Sequence, residues 1–204
     1  MSTPNDFIAI DFETADYSAD SAISIGLVKY RNYKPIASYY SLISPPILYI
    51  RPEFTDIHGL TVDDVRDAPD FKYVWENGLC ALLNPSGTSA VPVVAHNAGF
   101  DMNVLRAALE YYSVPCPPMS YFCTLRLSRR IWPRLKSHSL PNLAKEFSIN
   151  YDAHNAAADA DTCARIVVLA AEAVSSRLKR KTMVAPDRLL KAAHMEMETL
   201  GVQT

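Results

Sequence analysis

The sequence predicts an α/β domain built on a mixed five-stranded sheet with helices on its faces. Two observations carry that prediction. Residues 7–43 hold three strand-like segments in close succession, joined by short turns, as in a meander. From Pro69 onward, helical periodicity alternates with short, wholly apolar segments, the pattern of strands covered on both faces. A chain of 204 residues is long enough for one substantial core, and no second set of strands requires another.

The elements follow in order. Phe7–Phe12 is rich in strand-forming residues and reads as a buried strand. Ala15–Ser21 is small and polar, hence a loop. Ala22–Tyr30 is a second strand, with Gly26 marking a bulge or a close packing contact. Lys34–Ile43 alternates through Ile36, Ser38, Tyr40 and Leu42 as the third, and Arg31-Asn32 is the expected hairpin turn. Pro45–Pro46 ends the meander. Ile47–Pro69 reads as irregular chain with short helical turns, where Thr61 can cap a helix carrying Asp63 and Asp64 in its first turn. Pro69–Leu83 places Phe71, Val74, Trp75, Leu79 and Leu82 at helical spacing.

Asn84–Ala90 is an expected turn, and Val91–Ala95 an interior parallel strand. Gly99–Tyr112 is a helix whose buried stripe is Met102, Leu105, Leu109 and Tyr112. Pro115, Pro117 and Pro118 hold the chain extended. Tyr121–Cys123 is a last short strand. Thr124–Trp132 is a helix stopped by Pro133, Leu140–Phe147 another, and Ala156 to about Leu178 the longest. The main domain is thus 1–178. Residues 179–204 form a basic linker, Lys179–Lys181, and a tail in which Pro186–Leu200 reads as one more helix with Leu189, Leu190, Ala193 and Met197 on one face. That tail can pack back on the domain, hold a partner, or begin a further segment.

Composition is ordinary for a globular protein, 49% hydrophobic and 21% charged. The start, MSTPNDF, lacks the features of a signal peptide, and no apolar run reaches the length of a membrane span. Cys80, Cys116, Cys123 and Cys163 fit neither a zinc pattern nor a disulfide framework; Cys80 and Cys163 are expected as buried thiols, and the expected location is a reducing cytoplasm. Net charge is −2, which does not suggest a protein that coats nucleic acid, but it is unevenly spread. Residues 1–100 stand at −6 and 101–204 at +4, an asymmetry compatible with an acidic metal site beside a nucleic-acid surface.

Asp11 and Glu13 are two apart on the first strand, so both carboxylates point the same way. Held at the end of a core strand, they are costly unless a cation pairs them. Asp101, in HNAGFD at His96–Asp101, falls in the first turn of the helix after strand Val91–Ala95, where open α/β sheets place ligands. Asp159, in HNAAAD at His154–Asp159, falls in an early turn of the longest helix, with His154 just ahead among small residues. Singly, each has a bland reading: an acidic turn, an N-terminal helix aspartate, a capping histidine. Asp161 faces elsewhere and reads as solvated. Together, four oxygen donors suit magnesium or manganese. Two such ions about 4 Å apart can activate water and stabilise the leaving oxygen of a phosphodiester. A histidine with a pKa near 6.5 can take the proton.

These motifs in this order resemble the DnaQ-like, or DEDDh, family of 3′–5′ exonucleases, which includes the proofreading epsilon subunit of bacterial replicative DNA polymerase and stand-alone relatives. The resemblance covers about residues 6–175: DFET looks like its first motif, HNAGFD its second, and histidine followed five positions later by aspartate its third. It implies a ribonuclease H-like fold, with 1–178 as the exonuclease domain. It implies Asp11, Glu13, Asp101 and Asp159 as ligands of two Mg2+ or Mn2+ ions and His154 as general base. FTDIHGLT is similar to the family segment that would set His58 and Gly59 near the bound 3′ end. Phe12 and Thr14 would seat the terminal nucleotide through packing and backbone contacts, with Asn97 and Phe100 supporting the site. Where many relatives read ETTGL this chain has Glu13-Thr14-Ala15-Asp16-Tyr17, which implies a reshaped loop around the terminal nucleotide.

Arg126–Lys136 has five basic residues and no acidic one. Arg129 and Arg130 are expected phosphate contacts, with Trp132 either an aromatic platform for a strand or a core residue. His138 could assist there, and His96 is expected to buttress the second motif. The activity expected is metal-dependent 3′–5′ hydrolysis of single-stranded or frayed DNA ends to nucleoside 5′-monophosphates. RNA trimming by the same chemistry, and a non-hydrolytic module that binds ends or a polymerase, are the alternatives. No membrane partner is expected, and a polymerase or another replication or repair protein is a possible one.

Overall fold

The computed structural model describes residues 5–83, 91–115 and 118–200. The expected turn Asn84–Ala90, Cys116 and Pro117 lie outside the described residues, as do the first four residues of MSTPNDF. The strands are β1 Phe7–Thr14, β2 Ala22–Arg31, β3 Lys34–Leu42, β4 Val93–Ala95, β5 Met119–Cys123 and β6 Glu198–Leu200. They form one sheet in the order β3-β2-β1-β4-β5-β6. The first three make the antiparallel meander, β4 runs parallel to both β1 and β5, and β6 is antiparallel to β5. β1 therefore lies inside the sheet, paired on both sides.

The count is six strands rather than five. The expected helix over Pro186–Leu200 is instead a helix Pro186–Ala192 followed by β6, which closes the sheet edge against β5. Leu189, Leu190 and Ala193 are buried with the main core, so the tail packs back on the rest of the chain. Tyr121 and Arg126 both donate hydrogen bonds to Glu198.

Helices cover both faces. After β3 come α1 Pro52–His58 and α2 Val62–Val65, the latter opened by the capping box of Thr61 and Asp64. The expected helix at 69–83 begins after its cap Asp70. It is a run of α3 Phe71–Val74, a π-helical turn Trp75–Leu79 and α4 Cys80–Leu83. Then follow α5 Gly99–Tyr111, α6 Thr124–Ile131, α7 Leu140–Glu146, α8 Ala156–Arg177 and α9 Pro186–Ala192. Alternation along β1 divides the core. Ile8, Ile10 and Phe12 pack with residues of α3–α5, whereas Phe7 and Ala9 pack with Ala160, Cys163, Ala164 and Val167 of α8. Cys163 and Cys123 are buried thiols; Cys80, expected to be buried, is only half-buried.

The first hairpin turn falls at Asn32–Tyr33, one residue later than expected, with both residues at positive φ. Tyr33 is held in that unusual conformation by burial against Phe7 and by its hydroxyl, which donates to the Val184 carbonyl. Gly26 marks close packing and not a bulge: the register shifts of β2 fall elsewhere. Gly26 pairs with Asp11, and a Cβ there would stand 2.0 Å from the carbonyl oxygen of Ala156 at the start of α8. The helix thus rests on bare strand backbone. Gly26→Ala is expected to lower the unfolding free energy by about 1–3 kcal/mol, as overpacking does, measured by urea denaturation. An unchanged midpoint would mean that α8 can shift without loss.

Candidate active site

On the α8 side of β1, Asp11 and Glu13 continue the row begun by Phe7 and Ala9. The same alternation that buries the apolar pair aims both carboxylates toward α8. Asn155 caps α8, its side chain accepting from the N–H groups of Ala157 and Ala158 at 3.1 and 3.2 Å, and this sets Asp159 in the first turn. Asp11, Glu13 and Asp159 each offer an oxygen, all within 4.8 Å of one another. Asp101, buried in the first turn of α5, stands outside that trio. Its Oδ1 accepts the Phe12 N–H at 3.1 Å, which ties the second motif to the first.

Burial raises the pKa of all four carboxylates, and Asp101 and Asp159 raise those of Asp11 and Glu13 further. Burial and then Asp101, Asp159 and Glu13 push Asp11 well above the usual range. Burial, Asp159 and Asp101 push Glu13 to about 8. Asp101 also rises to about 8 through burial, although the Phe12 N–H opposes the shift. Asp159 is raised by burial, against the hydroxyl of Tyr151 and the charge of His154. Such a group takes up either protons or a cation. Its all-oxygen donors fit a hard divalent ion, with Asp11, Glu13 and Asp159 the residues that could hold it and Asp101 adjoining.

The surrounding residues have distinct places. His154 is exposed, at φ 63°, immediately ahead of the Asn155 cap. His58 ends α1; its Nδ1 accepts the Leu60 N–H at 3.0 Å, so the neutral ring carries its proton on Nε2. Burial lowers the His58 pKa, opposed by the Thr14 backbone and assisted by His154. Gly59 caps α1 at φ 76°, in open surroundings. Asn97, at φ 69°, and Phe100 are exposed on the turn before Asp101. The expectation for Phe12 is corrected: its side chain is buried in the core opposite the carboxylates, and what it offers the site is its backbone N–H to Asp101. Thr14 is likewise buried, leaving its backbone beside His58. His96 does buttress: its Nδ1 lies 2.9 Å from Thr124 Oγ1, which itself bonds the Ala95 carbonyl, joining β4 to α6.

The basic stretch divides. Arg129 faces a hollow beside His96 and Asn97, whereas Arg130 lines a different one with Trp132 and Arg177. Trp132 is half-buried and packs against Phe147, ring centroids 4.6 Å apart. Asp161, expected to be solvated, accepts from the Tyr30 hydroxyl and pairs with Arg165. Sequence reasoning missed Tyr151. Its ring sits in the cluster of Leu140, Leu143 and Ile166, and its hydroxyl donates to Asp159 Oδ1. The residue lies in the loop ahead of His154 and outside the motif itself, so only its position in the fold reveals it.

The mixed sheet, with acidic side chains gathered beside its central strand, has the ribonuclease H-like topology that the motifs imply. The chain belongs to the exonuclease family, whose model (RNase_T, "Exonuclease") it matches over residues 8–167. A PolC-type DNA polymerase III of Latilactobacillus sakei is 30% identical over 162 residues, 77% of this chain and 11% of that protein. The 3′-5′ exonuclease DinG of Staphylococcus aureus is 29% identical over 169 residues, 81% of this chain and 18% of that protein. The chain thus spans only a small part of the length of these curated relatives. Exonuclease X in complex with 5′ overhanging duplex DNA superposes with TM-score 0.63 at 24% identity, over 92% of this chain and 99% of that one. The nuclease domain of 3′hExo, a DEDDh family member bound to rAMP, gives TM-score 0.68 at 16% identity, over 88% and 96%. The family is dependent on divalent metal, and the acidic group here fits that requirement.

Two outcomes test the site. Unfolded carboxylates titrate near pH 4, whereas Glu13 and Asp101 in the metal-free fold hold protons to about 8. The fold binds the extra protons in that window, so in EDTA the Tm should fall as pH rises from 5 to 8, and excess Mg2+ should counter the fall. A Tm in EDTA that ignores pH would contradict the shifts. Tyr151→Phe keeps the ring and removes the hydroxyl. It should raise the Mg2+ concentration for half-maximal binding by about tenfold with little change in Tm, and an unchanged affinity by calorimetric titration would exclude a role for the hydroxyl.

Proposed function

We propose that this chain is a divalent-metal-dependent 3′–5′ exonuclease that removes nucleoside 5′-monophosphates from single-stranded or frayed DNA ends. The observation that carries the reading is the convergence of Asp11, Glu13 and Asp159 within 4.8 Å, with Asp101 tied to the same strand and His154 at the rim. In this reading Asp11, Glu13, Asp101 and Asp159 hold two Mg2+ or Mn2+ ions. When bound, the ions supply charge stabilisation for the phosphodiester and lower the pKa of water. His154, exposed beside Asp159, takes the proton from the attacking water. In the same reading His58 and Gly59, with the Thr14 backbone, lie near the bound 3′ nucleotide, and Asn97 and Phe100 support the site. Arg129 is the nearer phosphate contact and Arg130 the more distant one.

Near-neutral total charge favours a short footprint, because each phosphate contact adds salt-sensitive affinity. RNA is the second reading, favoured by the rAMP bound to 3′hExo, just as duplex DNA bound to Exonuclease X favours the first. A purely end-binding module would have no need of the complete acidic set. The polymerase relative supports a replication or repair protein as partner. Free thiols at Cys80, Cys123 and Cys163 support the cytoplasm as location.

The test is a time course on 5′-labelled DNA and RNA, single-stranded and duplex, with Mg2+, Mn2+ or EDTA. A ladder shortening from the 3′ end, abolished by EDTA and by Asp11→Ala, is expected, with DNA degraded faster. His154→Ala should cut the rate by about 100-fold or more at neutral pH while metal binding persists. Binding without product from any substrate would sink the enzymatic reading, and faster RNA decay would reverse the substrate order.

A further inference from the structure

At the same edge of the sheet as the carboxylates, where the parallel strands β4 and β5 both end, lies a hollow of about 590 Å3. Its wall includes His96, Asn97, Arg129, Lys136 and His138, and none of its lining residues is acidic. The cations come from two different segments, Arg129 from the last turn of α6 and Lys136 from the loop ahead of α7. Neither is in a salt bridge among the described residues. Like charges converge here without a carboxylate to offset them, which favours an anion.

The remainder of the wall is fixed. His138 Nδ1 lies 3.0 Å from Ser128 Oγ, and His96 is held by Thr124 at 2.9 Å. His96 Nε2 is buried against the His138 backbone, which opposes the effect of burial on the ring. Burial holds His96 down at about pKa 4 and lowers His138 as well, with Arg129 acting the same way on both. At neutral pH the positive charge therefore rests on Arg129 and Lys136, and the imidazoles act as neutral polar walls. No Phe, Tyr or Trp is among its described lining residues, so the hollow suits a phosphate better than a base. An adjoining hollow shares Lys136 and Ser137 and adds Arg134 and Lys145, with Glu146 its one acid. Positive lining thus continues away from the carboxylates.

We propose that the hollow between His96, Arg129, Lys136 and His138 is a phosphate subsite that takes a backbone phosphodiester of the substrate strand, upstream of the nucleotide being removed. The proposal rests on the nuclease reading above. It explains why only one of the paired arginines is directed to the second motif, and it gives the protein a means of preferring strands over dinucleotides.

Equilibrium binding in EDTA tests it without turnover. Fluorescent single strands of two and eight nucleotides would be titrated into the wild type, Arg129→Ala, Lys136→Ala and Lys136→Arg, at several salt concentrations. Inorganic phosphate and thymidine 5′-monophosphate serve as competitors, and Tm confirms folding. Each alanine variant should lose about tenfold in affinity for the eight-residue strand, lower the salt slope by about one, and reduce the preference for eight residues over two. Lys136→Arg should keep the slope. An unchanged slope and length preference would overturn the subsite. So would a loss shared equally by the dinucleotide and the monophosphate, which would make the hollow a seat for product. Metal-dependent release by all four proteins with wild-type length dependence would remove the subsite and leave the exonuclease standing. No release from any substrate, with the predicted binding losses intact, would do the reverse.

Discussion

Four carboxylates held within reach of one another, mostly out of water, impose the chief electrostatic constraint on this molecule. Burial alone disfavours their charges, and Asp101 and Asp159 make Asp11 and Glu13 harder still to ionise. The fold tolerates this in part because it supplies donors to two of them. Asp101 takes the Phe12 amide, Asp159 is set in the capped first turn of α8, and the hydroxyl of Tyr151 supports Asp159 from the side. The strain that remains is the reason a cation is at home there.

The strand that carries the first pair lies in the middle of the sheet, where displacement would break pairing on both sides. Its two neighbours differ in kind. β2 belongs to a local hairpin, whereas β4 is reached only after a long excursion through α1–α4 and runs parallel. The edge that carries the carboxylates therefore depends on contacts far apart in sequence, and small residues on α8 let that helix lie close to the sheet and deliver the final carboxylate.

The carboxylates were legible because their local rules are short-ranged. Spacing of two on a strand fixes the direction of Asp11 and Glu13, and helix-start chemistry locates Asp101 and Asp159. β6 was not legible: three residues, Glu-Thr-Leu, are strand only because β5 offers an unpaired edge, and that edge lies about eighty residues away in the chain. Tyr151 failed to stand out for a similar reason, since a loop hydroxyl becomes significant only when Asp159 is opposite it. Trp132 had two readings, and an apolar partner, Phe147, decided between them. The turn at Asn32–Tyr33 was displaced because a tyrosine in left-handed geometry is disfavoured locally and is held here by tertiary contacts.

At Gly26 the backbone of one element meets the backbone of another with no side chain between them. A spacing set by main-chain contact behaves as a ruler without moving parts, because there is no rotamer to exchange and no methyl group to slide. Thermal fluctuation that loosens surface side chains would leave the gap between Asp11 and the start of α8 unaltered until the sheet itself opens. The cation site would then be lost in the same cooperative step as the fold rather than by gradual widening, so that geometry at the carboxylates and integrity of the sheet are one property measured in two ways.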